Sequence, residues 1–214
     1  MKLIITIFCF CYVLTVKAQI GTQHVVEPTG NYKQIDLSKE LLVISRISDP
    51  NNKQKAKLID SVESVTNNFT PSVLYILSSV LFSDNQKERG MFWFYVAQLR
   101  ARYDVNRCAD KTASAARYNQ MIGPPINKYA FEHLDTLERI IARVIDFVRN
   151  NNENYDQRWI NMEGMGAFDS AMNPDHKNEP LSIPKDKWAA IKAKTIEDYS
   201  NGFKETLASQ KAKH

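Results

Sequence analysis

Arg100, Arg102, Arg107 and Lys111 crowd around Asp104 and Asp110 in one short stretch of the chain. Guanidinium forks suit bidentate capture of a carboxylate or another anion. This stretch is therefore the first candidate binding patch, with Trp93 and Tyr95 two turns earlier beside it. The same residues admit a second reading. They form salt bridges that pin a helix corner, because an unpaired buried charge is expensive. Trp159, close to Tyr155 and Arg158, has the side-chain type that anchors interfaces. Alternatively, Tyr155 and Trp159 fold back over the open end of a helical bundle.

Cys108 lies inside the basic stretch, where neighbouring Arg would lower a thiol pKa and raise its reactivity. A catalytic Cys needs a base, and His24, His133, His176 and His214 are scattered along the chain. A buried thiol is the plainer reading, and a disulfide between two copies is the other. Neither the His residues nor the Cys residues have transition-metal spacing, so no metal site is expected. Asp49-Pro50-Asn51-Asn52-Lys53 opens like a calcium loop but has Gln54 where that loop needs Gly. Glu163, followed by Gly164-Met165-Gly166, is the nearest candidate for carboxylate chemistry. No phosphate-cradling Gly loop or nucleophile elbow is present. No catalytic set assembles, and nothing calls for a cofactor.

The elements that must position these residues all read as helices. Asp36 starts a helix through about Ile47, and Gln54–Thr66 forms a second. Thr70 caps a third that begins at Pro71, and Ser83-Asp84-Asn85 turns the chain into a helix from Gln86 to about Tyr103. Its centre, Met91 to Ala97, is apolar on every face, which places it at the middle of the domain. A helix over Arg107–Met121 should end at Gly123-Pro124-Pro125, with one further turn over Asn127–His133. Leu134–Arg149 carries a clean stripe of Leu134, Leu137, Ile140, Ile141, Val144, Ile145 and Val148. Residues 161–183 lack periodicity and read as an irregular loop, and a last helix covers 184–210, weakened at Gly202. No convincing period-2 run exists. The fold class is all-α: a helical bundle or short helical array over 36–160, an irregular loop, then a C-terminal helix.

Leu74, Leu77 and Ser78 followed by Trp93, Tyr95, Ala97 and Ala101 give an aromatic-then-small pattern. On these residues the pair from Pro71 to Tyr103 resembles a tetratricopeptide-like repeat unit, close to that family's period of about 34 residues. No second clear copy accompanies it, so the flanking helices are either degenerate repeats or partners in an ordinary bundle. The segments Phe92–Tyr103, Arg107–Asp110 and Ile122–Asn127 make residues 71–165 similar to a group of uncharacterised exported bacterial proteins. That resemblance implies an envelope location and carries no activity.

The N-terminus agrees with export. Met1-Lys2, the apolar run Leu3–Val16 and Val16-Lys17-Ala18 read as a signal peptide covering 1–18. Cleavage would leave 196 residues with net charge +2, one cysteine and no membrane span. Residues 19–35 read as a flexible lead-in. Even the uncleaved charge of +4 is too small to announce a nucleic-acid partner. With 43% hydrophobic residues and only 7 Gly, the chain is neither collagenous nor a low-complexity polymer. The expectation is an exported, periplasmic or extracellular protein that binds a protein or peptide partner through a groove beside the Pro71–Tyr103 pair, rimmed by Arg100, Arg102 and Arg107. Two alternatives stand beside it: an enzyme of undetected class, hydrolytic chemistry included, using carboxylates near Glu163 with the Arg cluster, and a structural envelope protein dimerised through Cys108. The oligomeric state stays open.

Overall fold

The computed structural model describes residues 27–173, 175 and 178–212. The signal-peptide reading of residues 1–18 falls outside them. The fold is all-α. Helices α1 (Ser38–Ser48), α2 (Lys55–Ser64), α3 (Pro71–Ser83), α4 (Lys87–Arg107), α5 (Ala116–Glu132), α6 (Leu134–Asn150), α7 (Gly166–Met172) and α8 (Trp188–Lys211) follow one another in the chain. No strand occurs among the described residues, and none of their helices is long and apolar enough to cross a membrane.

Helix α4 is the axis of the bundle. It packs against α3, α5, α6 and α8, and α1 covers the outside of α3. Its all-apolar centre demands such surroundings: Met91, Phe94, Val96, Ala97 and Leu99 are fully buried. The α3–α4 hairpin turns at Asn85, whose φ of 61° is the left-handed conformation that Asn tolerates. The two helices then meet at Gly90. A Cβ there would lie 2.8 Å from the Phe82 backbone nitrogen and 2.9 Å from the Ser78 carbonyl, so only Gly fits. Thr70 precedes α3, but its hydroxyl pairs with the Ser72 hydroxyl at 2.7 Å instead of capping a backbone N–H.

Two helix boundaries differ from the sequence expectation. No helix starts at Arg107. Residues 108–115 form a loop, because Cys108 enters an antiparallel bridge with Ser182. Ala109 N–H donates to Leu181 O at 3.2 Å and Ile183 N–H to Arg107 O at 2.9 Å. Conversely, α5 does not stop at Gly123 but runs through Pro124 and Pro125 to Glu132. The usual clash sets a proline ring against the Cβ and N–H of the preceding residue. Gly123 has no Cβ and Pro124 has no N–H, so both obstacles are halved. Gly123 also seats the helix on Phe94, whose Cζ would be 3.1 Å from a Cβ.

The 161–183 stretch is more ordered than its composition suggests. A 3₁₀ turn covers Gln157–Glu163, and α7 follows. Asp110 holds the segment down: Gly166 N–H donates to its Oδ2 at 2.9 Å, while Thr112 donates to Oδ1 through N–H and hydroxyl at 2.8 and 2.7 Å. Gly164 and Gly166 allow this approach, since a Cβ on either would collide with Asp110 or Tyr32. The described part of the lead-in is equally anchored. Gly30–Gln34 forms a 3₁₀ turn, Tyr32 is buried, and the Thr29 hydroxyl donates to Ser170 O at 2.7 Å.

Candidate functional site

The basic stretch separates into inside and outside. Arg100 is 0% exposed and Arg107 4%; Arg107 reaches only the wall of a cleft of about 440 Å³ that it shares with Tyr103, Trp188 and Lys192. Arg100 donates to Thr66 O at 3.1 Å and Asn67 Oδ1 at 2.5 Å. Arg107 closes on Asp104 Oδ1 through Nε at 3.0 Å and Nη2 at 2.6 Å, with its guanidinium between the Tyr103 and Trp188 rings. Asp104 Oδ2 accepts Trp159 Nε1–H at 2.7 Å and the Tyr155 hydroxyl at 2.9 Å. The salt-bridge reading of this corner is the one that the geometry carries. Trp159 is therefore no surface anchor: it is 1% exposed and closes the bundle end with Tyr155. Trp93 is buried as well, and its Nε1–H donates to Glu63 Oε1 at 2.5 Å.

Cys108 is 1% exposed, with its thiol 3.2 Å from Asn161 Oδ1. Burial pushes the thiol up to about 11, the opposite of the activation its Arg neighbours suggest. The folded chain is thus expected to resist iodoacetamide at pH 8 and to react fully in urea, which mass spectrometry would read. Rapid labelling of the folded form would contradict this burial. A disulfide between two copies at Cys108 meets the same obstacle of access.

Glu163 does not face Arg100, Arg102 or Arg107. Arg117 clamps it at 2.6 and 3.0 Å, and the Tyr118 hydroxyl adds a contact at 3.2 Å. This is a brace between α5 and the 3₁₀ turn, with both carboxylate oxygens engaged. Among the described residues, no three His, Cys, Asp or Glu side chains converge on a point that would hold a metal.

Arg102 alone of the three arginines faces outward, and it lies in a real depression. The face of α4 carrying Tyr95, Gln98, Arg102 and Val105 is walled by α5 on one side and α8 on the other. Two clefts open along it, of about 410 and 370 Å³, and Gln98, Arg102 and Tyr199 form the saddle that both share. The first cleft is polar, with Asn106, Ser114, Asn119 and Thr195. The second is aromatic, with Tyr95, Phe131 and Phe203.

A hydrogen-bond network stiffens the floor. The Tyr199 hydroxyl donates to Gln98 Oε1 at 2.9 Å, Gln98 Nε2 donates to Asn119 Oδ1 at 3.1 Å, and the Tyr75 hydroxyl reaches the same Oδ1 at 2.9 Å. Tyr95 donates to Asn127 Oδ1 at 3.0 Å. Burial raises the Tyr199 and Tyr95 hydroxyls above the ordinary tyrosine range, so they stay protonated donors. Tyr95, a candidate from sequence, is thus a floor residue whose ring meets Phe203 edge-on at 5.5 Å. The Arg102 guanidinium lies 5.2 Å from the Tyr199 ring centre and makes no hydrogen bond or ion pair among the described residues. Asp198 lines the polar cleft but is engaged by Lys194 at 2.9 Å.

Gly202 lines the aromatic cleft from the middle of α8, and a Cβ there would meet nothing within 4 Å. Gly in a helix interior costs about 1 kcal/mol relative to Ala. No close approach requires it here, unlike Gly90. Gly202→Ala is therefore expected to raise folding stability by about 1 kcal/mol, measured by urea denaturation. A loss of stability would show that the glycine serves the fold rather than the open cleft. Asn119, Asn127, Tyr199 and Gly202 escape a sequence reading. The mid-helix Gly202 is the one local signal among them. Comparison of the chain with protein-family models, curated proteins and solved structures gives no match.

Proposed function

We propose that the chain is a protein- or peptide-binding module of the bacterial envelope, and that it receives its partner in the groove between α5 and α8. The observation that carries this reading is the uncovered α4 face: among the described residues Arg102 touches the Tyr199 ring but makes no hydrogen bond or ion pair, and two clefts flank it. The buried corner at Asp104 and the brace at Glu163 are engaged in holding the fold, whereas Arg102 is exposed in the groove. Export rests on the N-terminal run Leu3–Ala18 and on the resemblance of residues 71–165 to exported bacterial proteins.

The test is affinity capture from an envelope fraction with the chain from Gln19 onward, alongside two variants that fill the groove. Ala116→Trp occupies the polar cleft and Gly202→Leu the aromatic one, and both positions are exposed. A partner retained by the wild type and lost from both folded variants supports the groove. A partner retained equally by all three places the binding surface elsewhere.

A further inference from the structure

We infer that the lead-in is a strap: Thr29, Asn31 and Tyr32 hold the segment Gly164–Asn173 shut and, through it, set the loop that walls the polar cleft. Its meaning as a regulator of binding rests on the groove reading above, but the strap itself can be read without any partner.

Helix α7 does not hold its own position. Seven residues are too few for a helix to persist in water by itself. Nor does a buried face secure it. Met165, Phe168 and Met172 are 60%, 49% and 68% exposed, and Ser170 is the one buried residue of the helix. Of its two main neighbours, one is the 3₁₀ turn Gln157–Glu163 just before it, and the other is the lead-in turn Gly30–Gln34.

The strap grips at three points. The Thr29 hydroxyl donates to Ser170 O at 2.7 Å, and Asn31 Nδ2 donates to Glu179 O at 3.0 Å. Between them the buried Tyr32 lies so close on Gly166 that a Cβ there would collide with its hydroxyl. The segment is joined in turn to the loop after α4. Gly166 N–H donates to Asp110 Oδ2 at 2.9 Å and Met165 N–H to Thr112 Oγ1 at 2.7 Å, while Thr112 closes the ring on Asp110 Oδ1. Gly164 rests on Ala113, whose backbone would lie 3.0 Å from a Cβ. Ser114 and Ala115, the next residues, line the polar cleft. A continuous path of contacts thus runs from Tyr32 through Gly166, Asp110 and Ala113 to the cleft wall. A unit held by few apolar contacts and by hydrogen bonds near solvent opens more readily than a packed core.

Hydrogen exchange read by mass spectrometry tests this on the chain from Gln19 onward. Thr29→Val with Tyr32→Ala removes two of the grips. The amides of Met165, Gly166, Asp169 and Asn173, all hydrogen-bonded in the closed segment, should then exchange about tenfold faster or more, and those of Thr112 and Ala113 with them. Helices α4 and α6 should keep their wild-type protection. Gly166→Ala approaches the same contact from the other side. Ala is the better helix former, yet its Cβ displaces Tyr32, so exchange across residues 165–173 should rise here too. Adding Tyr32→Phe removes the obstructing hydroxyl and should restore part of the protection, a coupling that independent effects do not produce. Unchanged exchange across 165–173 overturns the strap. So does faster exchange throughout α4 and α6, which would make the lead-in part of the core. Faster exchange confined to 165–173, with Thr112 and Ala113 unmoved, overturns the link to the cleft. None of these outcomes touches the groove reading, which capture with Ala116→Trp and Gly202→Leu tests separately.

Discussion

Asp104→Asn is expected to cost on the order of 3–5 kcal/mol of folding stability, the range found when one partner of a buried ion pair is removed. In a chain of this size that is a fall in Tm of roughly 6–20 °C. The reason lies in what surrounds the carboxylate. Asp104 is fully buried, and Arg107 and Trp159 have nothing but donors to offer it. An amide of the same shape turns its own N–H groups towards one of them. Tyr155→Phe removes one donor and leaves the charge paired, so it should cost less, about 1.5–3 kcal/mol. The pH dependence has a definite sign. Burial is the largest influence on Asp104 and pushes its carboxyl up to about 6, against the pull of Arg107, Trp159 and Tyr155. The folded pKa then exceeds the unfolded value of about 3.9, and folding gains as protons bind. The wild type should therefore gain on Asp104→Asn as pH falls from about 6 towards 4. Urea titrations across that range give the difference, and a gap that narrows would reverse the sign.

The second large effect belongs to Arg100. Arg100→Met is expected to lose about 3–5 kcal/mol, since Glu153 stays buried with one cation fewer and the Thr66 carbonyl loses its donor. Lys192 still holds Glu153 Oε2 at 3.1 Å. Arg100 Nε lies 3.9 Å from Glu153 Oε1, and neither atom has another partner among the described residues. Such a loosely met pair contributes less than its burial suggests. Arg100→Met with Glu153→Gln should consequently cost clearly less than the two single changes added together, because removing both charges leaves no stranded one. Simple additivity would show that Thr66 and Asn67 account for the role of Arg100.

Local pattern explains which parts of this structure are legible in the sequence. Helix α4 is legible because no face of Met91–Ala97 is polar, and α6 because its apolar stripe repeats without interruption. The pairing of Asp104 with Arg107 follows from the same fact, since charges on the last turn of a buried helix must find partners. What is hidden depends on residues far apart in the chain. The loop after Cys108 exists because Leu181 and Ile183 supply its hydrogen bonds, some 70 residues later. The passage of α5 through two prolines depends on Phe94 beneath Gly123. The groove is hardest to foresee, because its walls are α5 and α8 and its network joins Tyr75, Gln98, Asn119 and Tyr199. Among the three arginines, only the tertiary packing distinguishes the exposed one.

The paired prolines of α5 also bear on how the groove behaves as a mechanical object. With no N–H at Pro124 and Pro125, the carbonyls of Gln120 and Met121 have no donor four residues on, and two rungs are missing from the helical ladder. Those rungs lie between Asn119 in the polar cleft and Asn127 and Phe131 in the aromatic one. Helix α8, opposite, has its full ladder of backbone donors. One wall is thus compliant and the other stiff. A segment entering the groove would be accommodated by α5 bending at its middle, the two clefts adjusting their separation while Arg102 and Tyr199 keep their place between them.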